Sequence, residues 1–240
     1  MTKSEVASRM HIGLIGGIGV SATLAYYQRL AATVDRDGGR LELTIVHAQI
    51  KELVPNNLAD DRAAQTANYF PLLERLKAAG CDCAAITSLG WHFCFEETRA
   101  VSPLPLVSAV SPLDAFFAAE GIGRVGLLGT QVVMRTRLYG QLSQTEAVVL
   151  DDEIETLGQR YQEMAISGHC TAADREVFVD AGRRLVADNG AQAVVLAGTD
   201  LGLAFDGQDP GYRVIDALDV HVDLLARLAT GQMDLHELAA

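Results

Sequence analysis

Ser88 and His92 stand four residues apart, the spacing that puts two side chains on one face of a helix. A serine hydroxyl beside an imidazole pairs a nucleophile with its base, provided both lie on the first turn of the same helix. The same residues have a plainer reading, in which Ser88 caps the helix and His92 packs beside Trp91. Gly17-Ile18-Gly19-Val20-Ser21-Ala22 fits the glycine fingerprint of a dinucleotide-binding turn, with alanine in the last place. That fingerprint wants an acidic residue at the end of the next strand to hold a ribose hydroxyl, and the segment there is Val46-His47-Ala48-Gln49. The glycines suit equally a nest of backbone N–H groups around a carboxylate, which needs no acidic partner, so Gly17 is a candidate binding residue. Cys94 is the thiol nearest Ser88, but six residues along a helix rising about 1.5 Å per residue is too far to replace it. His169-Cys170 and His221 have no second spaced pair beside them, so no metal site is expected.

The elements that must position these groups are announced by an internal repeat. His11-Ile12-Gly13-Leu14-Ile15-Gly16-Gly17 matches Arg124-Val125-Gly126-Leu127-Leu128-Gly129-Thr130 at an offset of 113 residues. Gly80-Cys81-Asp82-Cys83-Ala84-Ala85-Ile86-Thr87-Ser88 matches Gly190-Ala191-Gln192-Ala193-Val194-Val195-Leu196-Ala197-Gly198 at an offset of 110. Each copy is a short apolar run ending in small or hydroxylated residues, as expected of a buried parallel strand opening onto a ligand-binding turn. The chain is therefore expected to be an α/β protein of two pseudo-symmetric domains with parallel sheets and a cleft between them. Strands are predicted at 11–16, 41–48, 83–87, 124–128, 146–150, 193–197 and 214–216, with an extended stretch at 103–107. Helices are predicted at 20–34, 59–79, from Pro112, and at 133–143, 152–166, 172–188 and 219–229. The first domain is expected to span 10–107 plus 212–240, because the closing segment returns to it, and the second 108–211. Asp151-Asp152 with Glu153 and Glu155 suit a solvated first turn of a helix, where acidic groups favour the dipole.

Composition narrows the partners. A net charge of −12 without a basic stripe argues against nucleic acid. No apolar run approaches the roughly 20 residues of a membrane span. Met1 to Arg9 has no apolar signal-peptide core and reads as a frayed tail, and four cysteines without paired spacing suit a reducing cytoplasm. In so acidic a chain, an anionic ligand would be held locally, at the first N–H groups of the helices after Gly16-Gly17 and Gly129-Thr130.

Gly13-Leu14-Ile15-Gly16-Gly17 with Thr23 and Tyr26-Tyr27, Gly126-Leu127-Leu128-Gly129-Thr130 with Met134 and Tyr139, and Gly198-Thr199-Asp200-Leu201 resemble the aspartate/glutamate racemase superfamily. The resemblance runs from Met10 to about Ala229. It implies two pseudo-symmetric α/β domains with the active site between them, and inversion of the α-carbon of an acidic amino acid without a cofactor. In such proteins one cysteine from each domain serves as base or acid on opposite faces of the substrate. It also implies that His221, in the closing helix, is structural.

The departures fall on the chemistry. The superfamily's Cys-Asn-Thr-Ala-His motif is Ser88-Leu89-Gly90-Trp91-His92 here, and its Gly-Cys-Thr-Glu motif is Ala197-Gly198-Thr199-Asp200. A thiol of pKa about 8.5 is tunable to a thiolate, an alcohol far less so, and glycine carries no proton at all. The two-thiol mechanism is not available to this chain. The resemblance leaves Ser88, His92 and Asp200 as catalytic candidates, and Gly17, Thr130, Gly198 and Thr199 as substrate-binding ones. The expected function is binding of a small carboxylate or amino acid with cofactor-independent, non-thiol chemistry of lyase, isomerase or hydrolase type. A carboxylate-binding pseudoenzyme and an ordinary amino-acid racemase are the alternatives, and a homodimer is left open.

Overall fold

Strand pairing repeats the duplication seen in the sequence. The computed structural model describes residues 9–239, so the segment 1–8, read above as part of a frayed tail, lies outside the described residues. In the first sheet β1 (His11–Gly16), β2 (Glu42–His47), β3 (Cys83–Ile86) and β4 (Leu106–Val107) take the order β2-β1-β3-β4. In the second, β5 (Arg124–Gly129), β6 (Glu146–Val148), β7 (Ala193–Ala197) and β8 (Val214–Asp216) take the order β6-β5-β7-β8, the same permutation. Every pairing is parallel, as near-continuous apolar strands with helical crossovers require. The helices are α1 (Val20–Arg36), α2 (Ile50–Leu58), α3 (Arg62–Ala78), α4 (Phe95–Val101), α5 (Pro112–Ala119), α6 (Gln131–Arg135), α7 (Ile154–Ser167), α8 (Ala172–Ala187), α9 (Gly202–Phe205) and α10 (Ala217–Thr230).

The repeated glycine in the two first strands has a packing cause. A Cβ on Gly13 would come 3.0 Å from Cδ1 of Leu76 in α3, and one on Gly126 would come 2.8 Å from Cβ of Leu185 in α8. Each half thus seats a leucine of its crossover helix directly on the strand backbone.

The last strand of each sheet hands the chain to the other half. After β4, Leu113 and Phe117 of α5 are buried in the core of the second sheet. After β8, Leu218, Val222, Leu225 and Leu228 of α10 join Ile12, Leu14, Tyr26 and Leu30 in the core of the first. The closing segment packs on the first sheet only from α10, and not from the expected boundary at 212. Val214–Asp216 pairs with β7 in the second sheet, so the crossing falls after Asp216.

Two helical expectations are also corrected. The single helix expected at 59–79 is α3 alone, preceded by the unforeseen α2; between them Asp60 turns the chain with φ of 50° and Asp61 caps α3 through Ala64 N–H at 2.9 Å. The helix expected at 133–143 stops at Arg135, because Arg137, Leu138 and Tyr139 all take positive φ. That turn aims Tyr139 Oη at the Leu89 carbonyl of the first half, 2.8 Å away. Among the described residues no helix is long and apolar enough to cross a membrane, and no three His, Cys, Asp or Glu side chains are grouped to hold a metal ion.

Leu225 is fully buried in the borrowed α10, so Leu225→Ala should destabilise the protein by about 2–5 kcal/mol. Urea unfolding measures this, and a loss below about 1 kcal/mol would mean that α10 is not integral to the first core.

Candidate active site

A cavity of about 300 Å³ lies between the halves. Equivalent helices wall it: α2, which follows β2, presents Ile50, Val54 and Leu58, while α7, which follows β6, presents Tyr161, Ala165 and Ile166. Ile50, Val54 and Leu58 fall on one face of α2 by their spacing, as do Tyr161 and Ala165 on α7, with Ile166 beside them at the exposed edge. Ser88 and Thr130 line the cavity from the ends of β3 and β5, and Asp200 lines it from the 3₁₀ turn after β7.

Asp200 is the most constrained group in the cavity. Its Oδ1 accepts the N–H of Ala22 at 3.0 Å, one of the first-turn donors that α1 cannot satisfy itself. Its Oδ2 accepts the hydroxyl of Tyr161 at 3.4 Å. A Cβ on Gly19 would lie 2.0 Å from Oδ2, so only glycine admits the carboxylate at this helix end. Burial pushes the Asp200 carboxyl up to about 6, against the opposing pull of the Ala22 N–H and the Tyr161 hydroxyl. A carboxyl with that affinity for protons can give or take one near neutral pH.

Ser88 and His92 do not form a nucleophile and base. Ser88 lies in the bend after β3 and His92 opens a separate 3₁₀ turn, so the two share no helix. The His92 ring donates from Nδ1 to the Ser88 carbonyl at 2.7 Å and accepts the Ala109 N–H at Nε2 at 3.1 Å. It stacks on Phe95, and burial holds it near pKa 4, neutral and fixed in one tautomer. Ser88 keeps an open hydroxyl in the cavity, without a hydrogen-bond partner among the described residues, but also without a base.

The expected substrate-binding residues divide. Thr130 lines the cavity while capping α6 through Val133 N–H at 3.3 Å. The Thr199 hydroxyl instead donates to the Thr87 carbonyl at 3.3 Å and ties the halves together. The Gly17 N–H is taken by Thr23 Oγ1 at 2.9 Å, and a Cβ there would meet the His47 ring at 2.5 Å. Gly17 therefore offers a ligand no nest, whether for a carboxylate or for a dinucleotide phosphate, and Asp200 already fills the α1 N-terminus.

Gly198 is closed off as well, since a Cβ on it would come 2.4 Å from Cε2 of Tyr161. The tyrosine ring stands where a side chain at 198 would project. No cysteine compensates: none of the four lines the cavity, and burial pushes the Cys94 thiol up to about 11 and that of Cys83 to about 12.

Three features escaped the sequence reading. Tyr161 carries no motif, although Gly158, Tyr161 and Ala165 share the spacing of one helix face. The α2 wall was missed altogether. Arg62 and Arg135 also line the cavity, each already paired with a carboxylate: Arg62 with Glu97 at 3.1 Å and Arg135 with Glu155.

Gly198→Cys should press its sulfur onto Tyr161 and destabilise by about 1–3 kcal/mol as an overpacked core does. Combined with Tyr161→Ala, itself destabilising, the two losses should sum to less than their separate values, read by thermal or urea unfolding. Strict additivity of the two changes would show that the ring does not occupy this space.

Solved structures share this architecture. A provisionally assigned Asp/Glu racemase from Yersinia pestis superposes with TM-score 0.77 at 23% identity, covering 91% of this chain and 98% of that one. An aspartate racemase homologue from Pyrococcus horikoshii gives TM-score 0.73 at 25% identity, covering 92% and 99%. An aspartate racemase from Picrophilus torridus gives 0.74 at 17% identity, covering 91% and 93%. Residues 15–225, which take in the second sheet, the first sheet except His11–Leu14 of β1, and the Ser88 and Asp200 walls of the cavity, match the Asp/Glu/hydantoin racemase family, and the chain belongs to that family.

Proposed function

We propose that the protein binds a small carboxylate or amino acid in the interdomain cavity and moves a proton there without a cofactor, using Asp200 where its relatives would use thiols. The observation that carries this reading is a buried carboxyl raised to about 6 in a cavity wall that no cysteine reaches. As a carboxylate, Asp200 takes a proton from the carbon beside the substrate's carboxylate, and the Tyr161 hydroxyl steadies the charge on Oδ2. The electron pair left on carbon moves into a new double bond, and the protonated Asp200 then returns its proton either to the carbon at the far end of a shifted double bond, in an isomerisation, or to the group expelled from the neighbouring carbon, in an elimination. Ser88 and Thr130 supply hydroxyl hydrogen bonds to the bound ligand. With one base of suitable proton affinity, elimination or isomerisation fits better than inversion, which needs a second base on the opposite face. Hydrolysis through Ser88 lacks the base that would activate the hydroxyl.

A second reading, carboxylate binding without turnover, draws support from the two positions at which the superfamily's motifs have become packing. His92 is held by backbone on both nitrogens, and Gly198 lies under a tyrosine ring. In either reading the cytoplasm and a possible second subunit belong to the proposal as expectations carried from the sequence.

A panel assay with carboxylates and amino acids, followed by Asp200→Asn, separates the two readings. Asparagine keeps an oxygen for Ala22 N–H but cannot carry the proton, so turnover should fall by roughly 10²- to 10⁴-fold, with binding changed little. If Asp200 acts as the base, kcat/KM should rise with pH and level off above about 6. Tyr161→Phe removes a donor that favours the ionised form, so it should move that limb to higher pH. Full activity in Asp200→Asn would overturn the assignment, and absence of turnover by the wild type across the panel would favour the binding protein.

A further inference from the structure

The two helices that wall the cavity present hydrocarbon where an acidic substrate would want charge. Ile50, Val54 and Leu58 on α2 line a space that Tyr161, Ala165 and Ile166 on α7 also line, and Trp91 adds its indole to the lining. Leu58 and Ile166 are 68% and 57% exposed, so both sides of the cavity keep bare aliphatic side chains in water. Residues of that kind gain only when something apolar covers them. The cavity's cations are already answered: Arg62 lies between Asp60 and Glu97, at 3.3 and 3.1 Å, and Arg135 pairs with Glu155. Asp60, two residues beyond Leu58, lines the same space and would repel a second carboxylate at the far end of a ligand. A volume of about 300 Å³ also leaves room beyond a four-carbon dicarboxylate.

We infer that the ligand is a monocarboxylate bearing a bulky apolar group, aromatic or branched alkyl, lodged between the facing helices, and not an acidic amino acid. This rests on the carboxylate reading above and adds to it the chemistry of the distal group. The polar end lies toward Ser88, Thr130 and Asp200, and the apolar end lies along α2 and α7 toward the mouth. Leu58 and Ile166 then determine specificity without touching the reacting atoms.

The protein has one tryptophan, Trp91, and it lines the cavity, so its fluorescence reports occupancy without a label. Titration with propanoate, hexanoate, phenylacetate, succinate, aspartate and phenylacetamide tests both ends of the ligand, with calorimetry as the check. Each buried methylene should tighten binding by roughly fourfold, so hexanoate should bind roughly fiftyfold more tightly than propanoate. Phenylacetate should likewise exceed succinate and aspartate by at least about tenfold, on the area rule for apolar burial. Leu58→Gln with Ile166→Gln, uncharged changes at exposed positions, should erase most of the preference for hexanoate over propanoate. Tighter binding of succinate or aspartate than of hexanoate would overturn the inference and leave the carboxylate reading standing. Equal affinity for phenylacetate and phenylacetamide would overturn the carboxylate reading and leave the apolar subsite. Binding of none of these ligands at millimolar concentration would overturn both.

Discussion

The meeting of the Asp200 carboxylate with the first turn of α1 is the constraint on which the cleft depends. A carboxyl that is 3% exposed must be satisfied or neutralised, and it has two donors, one from each half. A charge at a helix N-terminus gains up to about 2 kcal/mol where it is partly buried. The contact also dictates identities at a distance in sequence. Gly19 must lack a side chain, Tyr161 must reach Oδ2, and the ring that reaches it leaves Gly198 no room for one. One electrostatic arrangement thus accounts for two glycines and an aromatic residue.

Around that contact, groups of catalytic type serve mostly as joints. Thr199 binds Thr87 across the interface, Tyr139 binds Leu89, and Arg29 of α1 reaches Asp206 beyond α9 and Asp216 at the end of β8. These polar ties hold the cavity walls in register while its interior stays largely apolar. The surface left for chemistry is small, and it centres on one carboxyl of altered proton affinity.

The fold was legible because duplication and buried parallel strands write themselves into sequence as glycine-punctuated apolar runs. β1, β5, β7 and β8 fall where the apolar runs put them. What the sequence hid depends on long-range geometry. β8 lies close in sequence to α10 yet belongs to the other sheet, and local pattern carries no mark of which sheet a three-residue strand will join. α2 was invisible because nine residues containing Pro55 give a poor helical signal and its stability comes from packing on α3. At the site, Asp200 was recognisable from its motif, whereas the silencing of His92 was not: spacing can place an imidazole near a serine but cannot reveal that the Ala109 N–H, 17 residues further on, claims its free nitrogen.

The exchange of closing helices sets an order of events during synthesis. The second half contains all its strands and has received α5 by the time Asp216 leaves the ribosome. The first half was translated earlier, yet it lacks α10, whose Leu218, Val222 and Leu225 complete its core. Its exposed apolar face must therefore wait, through more than a hundred further residues, for α10. The half made first becomes whole second, and the nascent chain carries its unfinished hydrophobic surface throughout the synthesis of the other half.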